Sequence, residues 1–248
     1  MLANISLHYG RTPENLSQEE LDNYLAEKVQ GKTSSFKHLI HGLRYYCKAL
    51  EIKKEKFRLP VIKKQRTLPA ILNSEECKRL FKAPVVLKDR VILCLMYSAG
   101  LRSCELRALQ VKDIDSGRML IHIRQSKNHK DRYVPLSELI LKGLRSYYRQ
   151  RRPQDLLFPG RYKGGPMSSA TIAQILRKAT FRAGILKRVT PHTLRHTYAT
   201  HLLEMGMNIL RVKELLGHTD IRTTMLYLQV MNQGTEKAFS PFDKLYSE

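Results

Sequence analysis

Residues 190–230, TPHTLRHTYATHLLEMGMNILRVKELLGHTDIRTTMLYLQV, restrict the fold of this chain more than any other stretch. Pro191 sits where proline is tolerated, at the first position of a helix, with Thr190 placed to cap it. Gly206 and Gly217 fall where helix-ending glycines belong, so the stretch predicts three helices in succession. His192 and Arg195 are three residues apart and share a face of the first helix. His218 follows the second helix, and Tyr227 lies in the third. Groups able to donate, accept or attack thus recur at element ends, separated by ordinary apolar helix.

Charge narrows the partners. The chain has 44 Lys and Arg against 22 Asp and Glu, a formal net charge of +22. An excess of that size costs self-repulsion, and a polyanionic partner, most simply nucleic acid, gives it a use. No apolar run approaches the roughly 18–20 residues of a membrane span, and the start MLANISLHYG lacks a signal-peptide pattern. A soluble protein with no membrane partner is expected. Cys47, Cys77, Cys94 and Cys104 form no C-x-x-C pair and sit in helical patterns, which predicts buried thiols in a reducing compartment.

In chain order, residues 1–12 carry no clear signal. Ser17 and Glu20 fit a capping box that opens a helix with Leu21, Tyr24, Leu25 and Val29 at helical spacing, ended by Gly31. A second helix is expected over 33–50, with Phe36, Leu39, Ile40, Leu43, Tyr46, Cys47 and Leu50 as its apolar stripe. Its other face carries Lys37, His38, His41, Arg44 and Lys48, either as solvated surface or against phosphate. Residues 52–69, IKKEKFRLPVIKKQRTLP, have seven Lys or Arg, one acid and two prolines, and read as a linker. Beyond it, Asn73 and Glu76 open a short helix, 88–98 is a strongly apolar helix closed by Gly100, and 103–109 is short and helical. Two strands are expected at 118–124 and 132–135 around the turn QSKNHKD. Helices at 137–151 and 170–183 flank a loop rich in proline and glycine. The expected fold is mainly α with a small antiparallel β-sheet, in two domains.

Five pieces of this sequence, in order, resemble the tyrosine recombinases, or phage integrase family. They are A-G-L-R-S-C-E-L at 99–106, S-K-N-H-K-D-R-Y-V-P-L at 126–136, H-T-L-R-H at 192–196, L-L-G-H at 215–218 and T-T-M-L-Y at 223–227. The resemblance implies a C-shaped DNA clamp: a helical core-binding domain over 1–51, a basic linker over 52–67, a catalytic domain over 68–232 and a tail over 233–248 able to pack into a neighbouring subunit. Family members usually carry about four helices in the first domain, and this chain has room for two or three. The expectation is either a natural minimal form or a chain whose start lies upstream.

The chemistry suits the residue types. A tyrosine can attack a phosphodiester and keep the bond energy in a covalent ester. Paired arginines neutralise the equatorial oxygens through fixed forks of donors. By resemblance, Arg102 and Arg195 clamp the scissile phosphate, Tyr227 is the nucleophile of a 3′-phosphotyrosyl intermediate, and Lys127 is the general acid for the 5′-hydroxyl. His192 acts in proton transfer near the tyrosine, and His218 hydrogen-bonds the phosphate. No cofactor or metal is implied. Each residue also has a plainer reading. Tyr227 between leucines reads as core, Arg102 could pair with Glu105, and Lys127 competes with Lys130 and Arg132 in one turn. His192 and His196 are spaced i, i+4, but no carboxylate joins them as a zinc site would require; His196 and Tyr198 read as support for the helix.

DNA-contacting candidates are Lys37, Arg44 and Lys48 on the second helix and Lys53, Lys54, Lys63, Lys64 and Arg66 in the linker. The implied function is site-specific recombination of duplex DNA by a homo-tetramer on paired sites, two protomers to a site, with accessory DNA-bending proteins as further partners. It would serve a mobile element or chromosome or plasmid resolution, in a bacterial cytoplasm on the nucleoid. A type IB topoisomerase, or a DNA-binding regulator that has lost catalysis, are the competing classes.

Overall fold

The computed structural model describes residues 2–29, 33–52, 56–61, 69–126, 130–160 and 165–231. The chain divides into two compact units, Met1–Thr67 and Leu68–Glu248.

In the first unit, helix α1 (Leu2–Tyr9) precedes a 3-10 turn at Pro13–Asn15, then α2 (Gln18–Val29) and α3 (Thr33–Ala49). Helix α1 falls where the sequence shows no signal. Eight residues are too few for a periodic pattern to stand out, yet Ile5 is fully buried. The capping box of α2 is formed, with the Ser17 N–H donating to Glu20 Oε2 at 2.8 Å and the Glu20 N–H to Ser17 Oγ at 3.1 Å. Ile5, Leu16, Leu21, Tyr24, Leu25, Leu39, Ile40 and Leu43 make the core. Each fully buried aliphatic side chain among them contributes about 1.5–3 kcal/mol against leaving it in water. Leu50, expected on the buried stripe, is 51 % exposed, because α3 ends one residue before it. Lys37, His38, His41, Arg44 and Lys48 are exposed, and Arg44 donates to the Pro60 carbonyl at 2.8 Å.

The second unit runs α4 (Ser74–Lys82), α5 (Leu87–Ser98), α6 (Ser103–Ala108), strands β1 (Ile114–Asp115), β2 (Leu120–Ser126) and β3 (Lys130–Pro135), then α7 (Glu138–Arg151), α8 (Ser169–Arg182), α9 (Pro191–Glu204), α10 (Ile209–Leu216) and α11 (Ile221–Met231). The sheet is antiparallel in the order β1-β2-β3. Strand β1 is the one the sequence does not announce, since two residues carry no alternation. Val91, Ile92, Leu93, Leu95 and Met96 are buried on α5, which packs against both α7 and α9.

Helix α9 is unusual in being buried and polar together: Thr193, Arg195, Thr197, Thr200 and His201 all lie inside. Most of these groups are satisfied by tertiary partners. The Leu72 N–H donates to Thr197 Oγ1 at 3.1 Å, and its carbonyl lies 3.0 Å from His201 Nε2. Since Nε2 must carry a proton to donate there, His201 Nδ1 is the acceptor for the Tyr97 hydroxyl at 2.7 Å. The start of the second unit is thereby strapped to the helix that carries Arg195. Of the thiols, Cys77 is buried, Cys47 and Cys94 are half-buried, and Cys104 is exposed, contrary to expectation. Its helix α6 has only six residues, and Cys104 lies on the side away from Leu106. No helix among the described residues is long and apolar enough to cross a membrane.

Candidate active site

The C-terminal end of α10 organises the site. Gly217 closes that helix in the left-handed conformation, φ 61 and ψ 46, which glycine adopts without a Cβ penalty. Its last carbonyls lack helical partners and form the negative pole of the helix. Three consecutive ones accept from three different arginines. Leu215 accepts from Arg132 Nε at 2.8 Å, Leu216 from Arg195 Nη2, and Gly217 from Arg102 Nη2 at a longer 3.4 Å.

One carboxylate gathers the same cations. Arg132 on β3 forks onto Glu105, Nη1 to Oε1 and Nη2 to Oε2, both at 2.8 Å. Arg102, which caps α6, donates from Nη1 to Glu105 Oε1 and from its backbone N–H to Oε2, again at 2.8 Å each. Arg195 Nη1 donates to the Gly100 carbonyl at 2.6 Å and lies 3.9 Å from Glu105. Gly100 itself has φ +57, and a Cβ there would sit 2.5 Å from Tyr198 Cδ1, so the turn that delivers Arg102 requires glycine. Burial pushes the Glu105 carboxyl up, but the hydrogen bonds and charge of Arg132, then those of Arg102, prevail and hold it at about 2. Burial, with the charge of Arg102, lowers Arg195 to about 10, which leaves it cationic. Among the described residues, three guanidiniums against one carboxylate make a partly buried surplus of positive charge, and such a place favours an anion.

The tyrosine lies beside this surplus. Tyr227 is 2 % exposed, its ring stacks on His218 with centroids 6.3 Å apart, and its hydroxyl is 3.1 Å from His196 Nδ1. Burial raises the phenol pKa, while Arg195 and Arg102 pull it back down. His218 Nδ1 pairs with Thr224 Oγ1 at 3.0 Å. Burial first, then Arg195, Arg102 and Arg132, depress His218 to about 3; burial, then His192 and Arg195, depress His196 to about 4. Both imidazoles are therefore neutral near pH 7. His192 is exposed, its ring centroid 6.2 Å from that of His196.

Of the residues singled out from sequence, Arg102, Arg195, His218 and Tyr227 come together here, and His192 stands at the exposed edge. Lys127 lies outside the described residues, as do Lys53, Lys54, Lys63, Lys64, Arg66 and the tail over 233–248. Lys37, Arg44 and Lys48 belong to the other unit. Three residues of the site are not among the predicted six. Glu105 stands three positions after Arg102, a spacing that marks the pair. Arg132 faces Ile123 across the ladder, at a register position where Ile121 and Val134 are buried, so it is a cation on an apolar face. His196, read from sequence as helix support, is the residue that touches the tyrosine hydroxyl, and only the packing of α11 on α9 reveals it.

A partly buried arginine cluster beside a buried tyrosine, on a mainly helical unit with one small sheet, is an arrangement suited to an anion such as a phosphodiester. Residues 70–233 match the phage integrase family. A putative integrase/recombinase of Sinorhizobium fredii, y4qK, is 36 % identical over 244 residues, covering 96 % of this chain and 79 % of that protein. The tyrosine recombinase of Pseudothermotoga lettingae is 34 % identical over 247 residues, 95 % of this chain and 84 % of that one. In three dimensions, the crystal structure of XerA recombinase superposes with TM-score 0.62 at 28 % identity, covering 96 % of this chain and 89 % of that chain. The XerH recombinase bound to its difH substrate superposes with TM-score 0.70 at 22 % identity over 92 % and 72 %, a likeness of fold. The chain belongs to the phage integrase family and is a tyrosine recombinase, a site-specific enzyme that cleaves and rejoins DNA.

Proposed function

We propose that Arg102 and Arg195 bind the scissile phosphate of a duplex recombination site and that Tyr227 attacks it, leaving a 3′-phosphotyrosyl ester. The observation that carries this reading is the shared ownership of the α10 carbonyls and Glu105 by three arginines, with Tyr227 next to them. Fixed donors aimed at a buried spot stabilise charge as it develops and need no reorganisation during reaction. His218, neutral and adjacent, hydrogen-bonds a phosphate oxygen. Lys127, next to Ser126 at the end of β2, supplies the proton for the departing 5′ oxygen, and His192 takes part in moving the tyrosine proton. Attack by a different 5′-hydroxyl reverses the step and exchanges strands without ATP.

The enzyme works on paired sites as a tetramer, two protomers to a site, with the first unit contributing Lys37, Arg44 and Lys48 and the linker lysines contributing further backbone contacts. The 233–248 tail packs against a neighbouring subunit, and accessory proteins bend the DNA. Mobile-element transfer or replicon resolution is the biological use, inside a bacterial cell. The test is a nicked duplex from DNA flanking the gene, whose short 5′-hydroxyl fragment diffuses away and traps the ester. A covalent band should form with the wild type and vanish in Tyr227→Phe, Arg102→Gln and Arg195→Gln while salt-sensitive binding persists. A band of unchanged intensity in Tyr227→Phe would sink the assignment.

A further inference from the structure

A phenol is a poor nucleophile until its proton leaves, and among the described residues one imidazole nitrogen lies within reach of that proton, an acceptor in the tautomer protonated on Nε2. His196 Nδ1 is 3.1 Å from the Tyr227 oxygen, within hydrogen-bond reach. Among the described residues, the other polar groups nearby are unsuited. Arg102, Arg132 and Arg195 carry no lone pair to offer. The Glu105 carboxylate is engaged by Arg102 and Arg132. His218 meets the tyrosine by ring stacking, and its Nδ1 is paired with Thr224. His192 is exposed, one helical turn before His196 on the same face.

We propose that His196 is a catalytic residue, the base that takes the Tyr227 proton, and that His192 serves as its outlet to solvent. This rests on Tyr227 being the nucleophile, the reading given under Proposed function. In the step, the Tyr227 Oη–H bond breaks and the proton joins His196 Nδ1 as Oη bonds to phosphorus. The bond from phosphorus to the 5′ oxygen breaks, and that oxygen takes its proton from the general acid. His196, now an imidazolium, releases its Nε2 proton to His192 or to water. In rejoining, the same groups run in reverse, and His196 returns a proton to the tyrosine.

Electrostatics gives the step its timing. Without DNA, burial and the neighbouring cations keep His196 neutral, hence able to accept. The phosphate that binds the arginines brings negative charge close to the ring and offsets their field, so the imidazolium becomes tolerable only when substrate is in place. Water therefore finds no pre-formed phenolate to protonate, and the attacking anion is generated only against a bound phosphate.

The experiment uses the full chain on the nicked duplex in single turnover. His196→Ala should slow formation of the covalent band by roughly 10²–10⁴-fold, the usual worth of a positioned base. His196→Gln, which keeps a polar side chain of similar reach but cannot take a proton, should be comparably slow while retaining thermal stability and DNA binding. Replacing Tyr227 by 3,5-difluorotyrosine, whose phenol ionises more readily, should restore most of the lost rate in the His196→Ala background and change the wild type little. Free imidazole should also restore rate to His196→Ala. The proposal is overturned if His196→Ala or His196→Gln cleaves as fast as wild type or faster, which would make the contact a latch. It is also overturned if the slow variants gain nothing from the fluorinated tyrosine or imidazole, which would make it packing. If the wild type forms no covalent band that depends on Tyr227, the nucleophile reading falls, and this one with it.

Discussion

Around Glu105, three guanidiniums hold between them one carboxylate and the carbonyls of Gly100, Leu215, Leu216 and Gly217. Around Tyr227, one hydroxyl meets one imidazole, and one ring stacks on another. Both regions are buried, yet the first is cross-linked by charge-assisted bonds and the second by neutral ones. Charge-assisted bonds contribute about 1.5–3 kcal/mol each where neutral ones contribute about 1. On the proposed reading, the arginine side is thus fixed in advance of substrate, whereas the tyrosine side can shift at small cost. An enzyme that must bind DNA before it cuts gains from that division: binding needs a rigid anion site, and the attacking oxygen needs freedom to approach phosphorus.

The contrast can be broken by substitution. The largest effect expected is on chemistry. Arg195→Lys keeps the charge but loses the fork that reaches Gly100 and Leu216 together, and should lower single-turnover cleavage by about 10²–10³-fold. A variant with near wild-type rate would mean the fork is dispensable. Next comes stability. Glu105→Gln strands Arg132 and Arg102 in a buried site without their counter-charge and should cost about 3–5 kcal/mol in urea unfolding. By the same measure Tyr227→Phe removes one neutral bond and should cost about 1 kcal/mol or less. Equal losses in the two variants would erase the distinction between the halves.

A third effect is pH-dependent. His196 and His218 have folded pKa values depressed to about 4 and about 3 from the ordinary histidine value of 6.5. The unfolded chain binds these protons first, so the stability they contribute is present above pH 6.5 and is lost as pH falls toward 4. Glu105, held at about 2 against 4.5, adds a further loss below pH 4.5. The melting temperature should decline from pH 6.5 downward, and less steeply in a His196→Gln variant; parallel curves would remove His196 as a contributor. The smallest effect lies in the first unit. Lys37→Ala with Lys48→Ala should weaken DNA binding and flatten the dependence of log K on log salt, by about 1 in slope for each phosphate no longer neutralised. An unchanged slope would make that helix face merely solvated.

Local chemistry makes much of the fold legible. The capping boxes at Ser17 and Asn73, the helix-ending glycines at 100, 206 and 217, and Pro191 each act within a few residues, and each element begins or ends where they say. Elements too short to carry a period, α1 and β1, are invisible for the same reason. In the site, His218 and Tyr227 stand out because the boxes L-L-G-H and T-T-M-L-Y that carry them resemble the family's; by itself, Tyr227 between leucines reads as core. Arg132 and His196 do not stand out, because what they do depends on partners far along the chain, and Glu105 shows in sequence only as the near partner of Arg102. Arg132 reaches Leu215 across 83 residues and Glu105 across 27. His196 meets Tyr227 across 31. A leucine-glycine-histidine box shows its histidine in sequence; that its carbonyls organise three arginines shows only after folding.

The central claim, that one of the twelve tyrosines in this chain attacks DNA held by these arginines, is tested most directly by locating the covalent bond. The trapped complex from the nicked duplex would be digested with nuclease and protease, and the nucleotide-bearing peptide sequenced by mass spectrometry. The adduct should lie on Tyr227 and be absent from Arg195→Gln. An adduct on any other tyrosine, or one that survives loss of Arg195, would contradict the account.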